Sequence, residues 1–152
     1  MSNAVARYVE DEEDDALFMQ MAFKRVGAEG TLRVVKDGRS ALAYLKGEDG
    51  YADRAAHPLP ALILLDLNLP HLSGFEVLSW IRAQTSFRET PVVIFSSSGR
   101  PEDRYRAESQ GASHYALKPM SMFHFVDLAA ELRKRWLQKA AGEPEAGMAA
   151  SA

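Results

Sequence analysis

The chain contains no cysteine, which removes disulfide frameworks, thiol nucleophiles and thiolate metal sites from consideration. Its four histidines, His57, His71, His114 and His124, form no H-x-x-x-H pair, so a histidine-based zinc site is not expected. No apolar run is long enough to span a membrane, and no basic region followed by an apolar core opens the chain, as a secretory signal would. Neither G-x-x-x-x-G-K-[ST] nor G-x-G-x-x-G occurs, which leaves no ATP cradle and no dinucleotide fingerprint. The formal net charge is only −3, and basic residues gather only at Arg133-Lys134-Arg135. Nothing in that balance points to nucleic acid. What is there is a 152-residue chain, 47% hydrophobic and 26% charged, the profile of one globular domain with a real core. The expectation is a cytoplasmic protein with a single domain over residues 1–139. The tail at 140–152 (AAGEPEAGMAASA) is poor in bulky apolar groups and is read as flexible.

Short apolar runs alternate with helical patterns along the chain. Strands are expected at Val5–Val9, where Arg7 interrupts the run, and at Leu32–Val35, Leu62–Leu65, Pro91–Phe95 and Ser113–Leu117. A first helix from Asp14 or Asp15 presents Leu17, Phe18, Met21, Ala22 and Val26 as its inward face, and Gly27 and Gly30 mark its exit. Further helices are expected over Ser40–Leu45, Phe75–Arg82, roughly 101–110 with Pro101 at the start, and Ser121–Leu137. The last carries a seam of Phe125, Leu128, Ala129, Leu132 and Trp136. Residues 47–60 are too rich in Gly, Pro and charge for a core element and form a surface loop. Continuous apolar strands alternating with amphipathic helices give the α/β class, a doubly wound five-stranded parallel sheet covered on both faces.

Leu62-Ile-Leu-Leu-Asp-Leu-Asn-Leu-Pro70 is the stretch around which the rest is organised. Its strand has no polar alternation and ends on Asp66, and Pro70 prevents continuation. Ligands of open parallel sheets bind at the carboxyl ends of the strands, so Asp66 reads either as a site carboxylate or as a simple turn residue. A flavodoxin-like strand order, 2-1-3-4-5, would set Glu10 and Asp11 beside Asp66, with Ser96 and Lys118 arriving from strands four and five. Three converging carboxylates require a cation or protons, and all-oxygen donors suit Mg²⁺. Lys118 adds a mobile positive charge and Ser96 a hydroxyl donor. That set is fit for aspartyl-phosphate chemistry. Taken singly, the acidic run at 10–15 is a charged helix start, Ser96 a strand-end residue and Lys118 a solvent lysine. Together they end successive strands on one side of the inferred sheet.

Glu10-Asp11, Asp66, Ser96 and Lys118-Pro119 resemble, in order and spacing, the response-regulator receiver domains of two-component signalling, over about residues 5 to 138. The resemblance implies that Asp66 is phosphorylated by a histidine kinase phosphohistidine and that Asp11 binds Mg²⁺ directly. It further implies that Glu10 acts on the metal through water and that the Asn68 backbone carbonyl is another ligand. Lys118 would contact the phosphoryl group, and Ser96 and Tyr115 would form the switch. A cis bond would precede Pro119. The wider text, VEDEEDDA through LILLDLNLP to PVVIFSSS, is also similar to small stand-alone receivers paired with phytochrome-type photoreceptor kinases. That implies a light-regulated kinase as partner and a homodimer through the fifth strand and fifth helix. Glu10 stands where Asp is commoner and Ser96 where Thr is frequent; Ser98 offers no acidic or amide group to orient water, which implies slow self-dephosphorylation.

The tail is too short and polar to fold as a DNA-binding module, so output is expected through protein contacts or a histidine phosphotransfer protein. Phe123, Phe125 and Trp136 exceed the needs of one buried stripe and are candidates for an interface. Two other functions stay open. One is an aspartate-nucleophile phosphohydrolase, although Asn68 occupies the place of its second carboxylate. The other is a receiver-like interaction module that is not phosphorylated.

Overall fold

The computed structural model describes residues 4–138, so the expected tail at 140–152 lies outside the described residues. The strands are β1 (Ala6–Val9), β2 (Leu32–Val35), β3 (Leu62–Leu65), β4 (Val92–Ser96) and β5 (His114–Leu117). They alternate with α1 (Glu13–Arg25), α2 (Gly38–Lys46), α3 (Gly74–Ala83), α4 (Pro101–Ser109) and α5 (Met122–Leu132). A π-helical turn over Arg133–Leu137 prolongs α5. All pairings are parallel, in the order β2-β1-β3-β4-β5, as the alternation and the flavodoxin-like arrangement anticipate.

The two faces of the sheet carry separate cores, because alternate strand residues point to opposite sides. Val9, Ile63, Leu65, Val92 and Ile94 pack beneath α2 and α3 with Tyr44, Val77, Leu78 and Ile81. Ala6, Tyr8, Leu62, Leu64, Val93 and Phe95 pack beneath α1 and α5. Arg7 is tolerated within β1 because its guanidinium lies over the Tyr44 ring, 3.7 Å from the centroid. The 47–60 loop is fastened by Arg54, which donates to the carbonyls of Tyr44 and Leu45 at 2.9 Å and of His57 at 3.2 Å. One guanidinium thus caps two carbonyls at the C-terminal end of α2.

Two expectations about faces are corrected. The buried residues of α1 are Met19, Ala22 and Phe23, whereas Leu17, Phe18 and Met21 are exposed. The helix is apolar around more than half its girth, so its sequence admits two phases at helical spacing, and contact with α5 selects the second. Phe125 is no surface residue: only 3% exposed, it packs edge-on against Phe18 and Phe95. Phe123, on the outer side of α5, is 70% exposed.

Caps hold the helix starts near the upper sheet edge. Asp37 accepts from Ser40 N at 2.7 Å, and Ser73 and Glu76 form a reciprocal capping box. Gly74, the first residue of α3, leaves no room for a side chain: a Cβ there would lie 2.2 Å from the Asp66 carbonyl oxygen and 2.7 Å from Leu67 Cα. We expect Gly74→Ala to cost about 3 kcal/mol in urea unfolding, because backbone rather than a flexible side chain must move.

Candidate functional site

Placing β1 next to β3 brings the acidic run beside Asp66. One ligand oxygen each from Glu10, Asp11 and Asp66 lies within 4.8 Å of the others. Glu10 and Asp66 are buried and Asp11 is exposed. From the end of β5, Lys118 places its Nζ 2.9 Å from Glu10 Oε1, 3.1 Å from Asp66 Oδ2 and 2.9 Å from Asp15 Oδ2. The ammonium donates hydrogen bonds to Asp15 and Asp66 and forms an ion pair with Glu10.

Glu10 is held from several sides. Its Oε1 also accepts from the Tyr8 hydroxyl at 2.8 Å, and its Oε2 accepts from Glu12 N at 3.2 Å. Burial, reinforced by the charge of Asp66, pushes its carboxyl up to about 7. Burial alone would lower the Lys118 pKa, but the bonds to Asp15 and Glu10 and the charge of Asp66 outweigh it and raise it. Burial and then Glu10 raise the Tyr8 phenol.

The remaining expected residues fall around this centre. Asn68 N donates to Asp66 Oδ1 at 3.3 Å. Ser96, fully buried at the end of β4, accepts from Ser98 N through its Oγ at 3.1 Å. Tyr115 is buried, and its hydroxyl donates to the Ser98 carbonyl at 2.8 Å. The Ser98 hydroxyl donates in turn to Asp103 at 2.6 Å, so the strand-five tyrosine and the start of α4 share one loop. The cis bond expected before Pro119 is not found; the peptide is trans. A trans X-Pro bond is the intrinsically preferred isomer, and with it Lys118 still reaches Asp66.

Two residues of the site were not foreseen. Tyr8 could have been found from its place two residues before Glu10, which puts both on one face of the strand. In the sequence Asp15 reads only as part of a charged helix start. One turn beyond Asp11 on α1, it meets a lysine more than a hundred residues away, and no local signal shows that contact.

The donor set suits a hard divalent cation: carboxylate oxygens only, two of them buried, with Asp11 open to solvent. The fold and the site define an α/β domain with an aspartate, an acidic pair and a lysine gathered at the carboxyl edge of a parallel sheet. Residues 7–130 match the response regulator receiver domain, and the chain belongs to that family. Its relatives include the probable methanogenesis regulatory protein FilR2 of Methanothrix harundinacea, 36% identical over 85% of this chain and 81% of that protein. The phosphorylated cyanobacterial phytochrome response regulator RcpA superposes with a TM-score of 0.82 at 30% identity, covering 91% of this chain and 96% of its own. The Mn²⁺-bound form of the response regulator Rcp1, from Synechocystis, gives a TM-score of 0.78 at 29% identity, with coverage of 89% and 95%. Receiver-domain response regulators are in general signalling proteins rather than enzymes. Among the described residues no helix is long and apolar enough to cross a membrane.

The raised Glu10 pKa has a consequence for stability. Its folded-state pKa, about 7, lies above the ordinary 4.5, so its contribution is fully present below about 4.5 and is lost as pH rises through 7. Metal-free Glu10→Gln should therefore gain on the wild type in thermal melts as pH rises across that window.

Proposed function

We propose that Asp66 accepts a phosphoryl group from a phosphohistidine of a sensor histidine kinase, and that the chain signals through protein contacts. The observation carrying this reading is the convergence of Asp66, Lys118, Glu10 and Asp11 at one sheet edge. In the transfer an Asp66 oxygen attacks phosphorus, the P–N bond breaks, and its electron pair leaves on the imidazole nitrogen. Lys118, 3.1 Å from Asp66 Oδ2, is placed to offset charge on the moving oxygens. Ser96 can donate its hydroxyl proton to one of them. Asp11 and Asp66 would hold Mg²⁺ as ligands, with Glu10 acting through water and the Asn68 carbonyl as a further protein donor. When bound it neutralises negative charge on the phosphoryl group.

A protein donor is favoured by the surface beside the site. Leu17, Phe18 and Met21 of α1 are exposed, as are Met120 and Phe123, and Phe18, Pro119, Met120 and Met122 line a pocket together with Asp15. The similarity to phytochrome response regulators supports a phytochrome-type kinase as that donor, and a histidine phosphotransfer protein would present the same chemistry. Ser96 and Tyr115 would carry the phosphorylated state to α4 and β5 through the Ser98 loop.

Incubation with acetyl phosphate and Mg²⁺, read by intact mass, should add one phosphoryl group to the wild type and none to Asp66→Asn. Sustained release of phosphate would instead favour the phosphohydrolase, and no addition at all the unphosphorylated interaction module.

A homodimer through the outer side of β5 and α5 is the second part of the proposal. A cavity of about 470 Å³ there is lined by Leu117, Leu128 and Trp136 together with Asp127, Glu131 and Arg135. Leu117 is 50% exposed, and charges of both signs allow a self-complementary two-fold contact. We expect sedimentation to show a dimer that Leu117→Asp weakens about 100-fold or more, as a buried unpaired charge would.

A further inference from the structure

The Lys118 ammonium makes its three carboxylate contacts unequally. Glu10 is fully buried and fixed in addition by Tyr8 and Glu12. Asp66 is the reacting group itself. Asp15, in the first turn of α1, binds the ammonium as closely as Glu10 does, yet its side chain is 28% exposed. The ammonium's hydrogen bonds go to Asp15 and Asp66, with Glu10 at ion-pair distance. Three carboxylates crowd the ammonium, so an incoming phosphoryl oxygen must displace one of them, and the bond to the solvent-accessible carboxylate costs least to break.

We propose that Asp15 is a positioning residue that grips Lys118 in the resting protein, so that loading of Asp66 requires the ammonium to be drawn off it. The inference rests on Asp66 being the phosphoacceptor. Two consequences belong to the same contact. Asp15 withholds one lysine donor, and its charge stands within one ammonium's reach of the place where an anionic donor arrives. Both effects slow loading; when the carboxylate becomes an amide the charge is gone, and the neutral amide oxygen holds the ammonium more weakly.

The test compares wild type, Asp15→Asn and Asp15→Glu. In nitrogen-15 NMR of the metal-free proteins, the Lys118 ammonium should exchange with water faster in Asp15→Asn, while Asp15→Glu restores the wild-type signal. With acetyl phosphate and Mg²⁺, Asp15→Asn should load about fivefold faster at low salt, and the gain should shrink as ionic strength rises. An unchanged ammonium signal, or loading equal to or slower than wild type in Asp15→Asn, overturns the proposal. Should no protein load at all, the phosphoacceptor reading fails, while the ammonium signal still decides whether Asp15 grips Lys118.

Discussion

A single ammonium compensating buried carboxylates is the interaction on which this molecule's upper edge depends. Glu10 and Asp66 have little access to water, and withdrawing charged groups from solvent is costly unless each finds a partner. Lys118, with a side chain 10% exposed, meets both while holding Asp15 at the rim. The elevated carboxyl of Glu10 and the elevated ammonium of Lys118 are two sides of that balance: the cation is well served and the crowded acids less so.

The sheet makes the compensation possible. Because β1 lies between β2 and β3, and β4 between β3 and β5, the chain reversals on one edge bring together residues far apart in sequence. Close packing then holds the edge in place. Gly74 lets α3 start against the Asp66 backbone, and Tyr8 reaches up from the core to fasten Glu10. Stability and chemistry meet in these few residues, which are not interchangeable with ordinary core positions.

Much of this was legible in the sequence, for identifiable reasons. A strand buried on both faces leaves an unbroken apolar run, and Leu62–Leu65 stands out on that ground alone. The acid pair, Asp66, Ser96 and Lys118 each stand at the end of an expected strand, so the strand order gathers them. Features that depend on which surface meets which were not legible. The apolar girth of α1 allows two phases, and only α5 decides between them. Phe125 and Phe123 look alike in the sequence, yet one faces the sheet and the other solvent. Asp15 carries no mark that separates it from its acidic neighbours, since its role depends on a lysine folded back from the far end of the domain. The bond before Pro119 illustrates the other limit: a resemblance suggested one isomer, and the backbone adopts the other.

The loop between α2 and β3 has a bearing on how such a domain diversifies. Its fourteen residues, 47–60, form no helix or strand, yet Arg54 fixes them to the end of α2 through two carbonyl bonds, to Tyr44 and Leu45, and braces the loop on itself through a third, to His57. Order there comes from a few side-chain anchors, Arg54 and Tyr44 foremost, rather than from a repeating backbone pattern, so the stretches between them can change length or character while the attachments hold. Lying on the flank of the sheet away from β4 and β5, the segment gives the scaffold a place to acquire a new recognition feature without disturbing the chemistry at its edge.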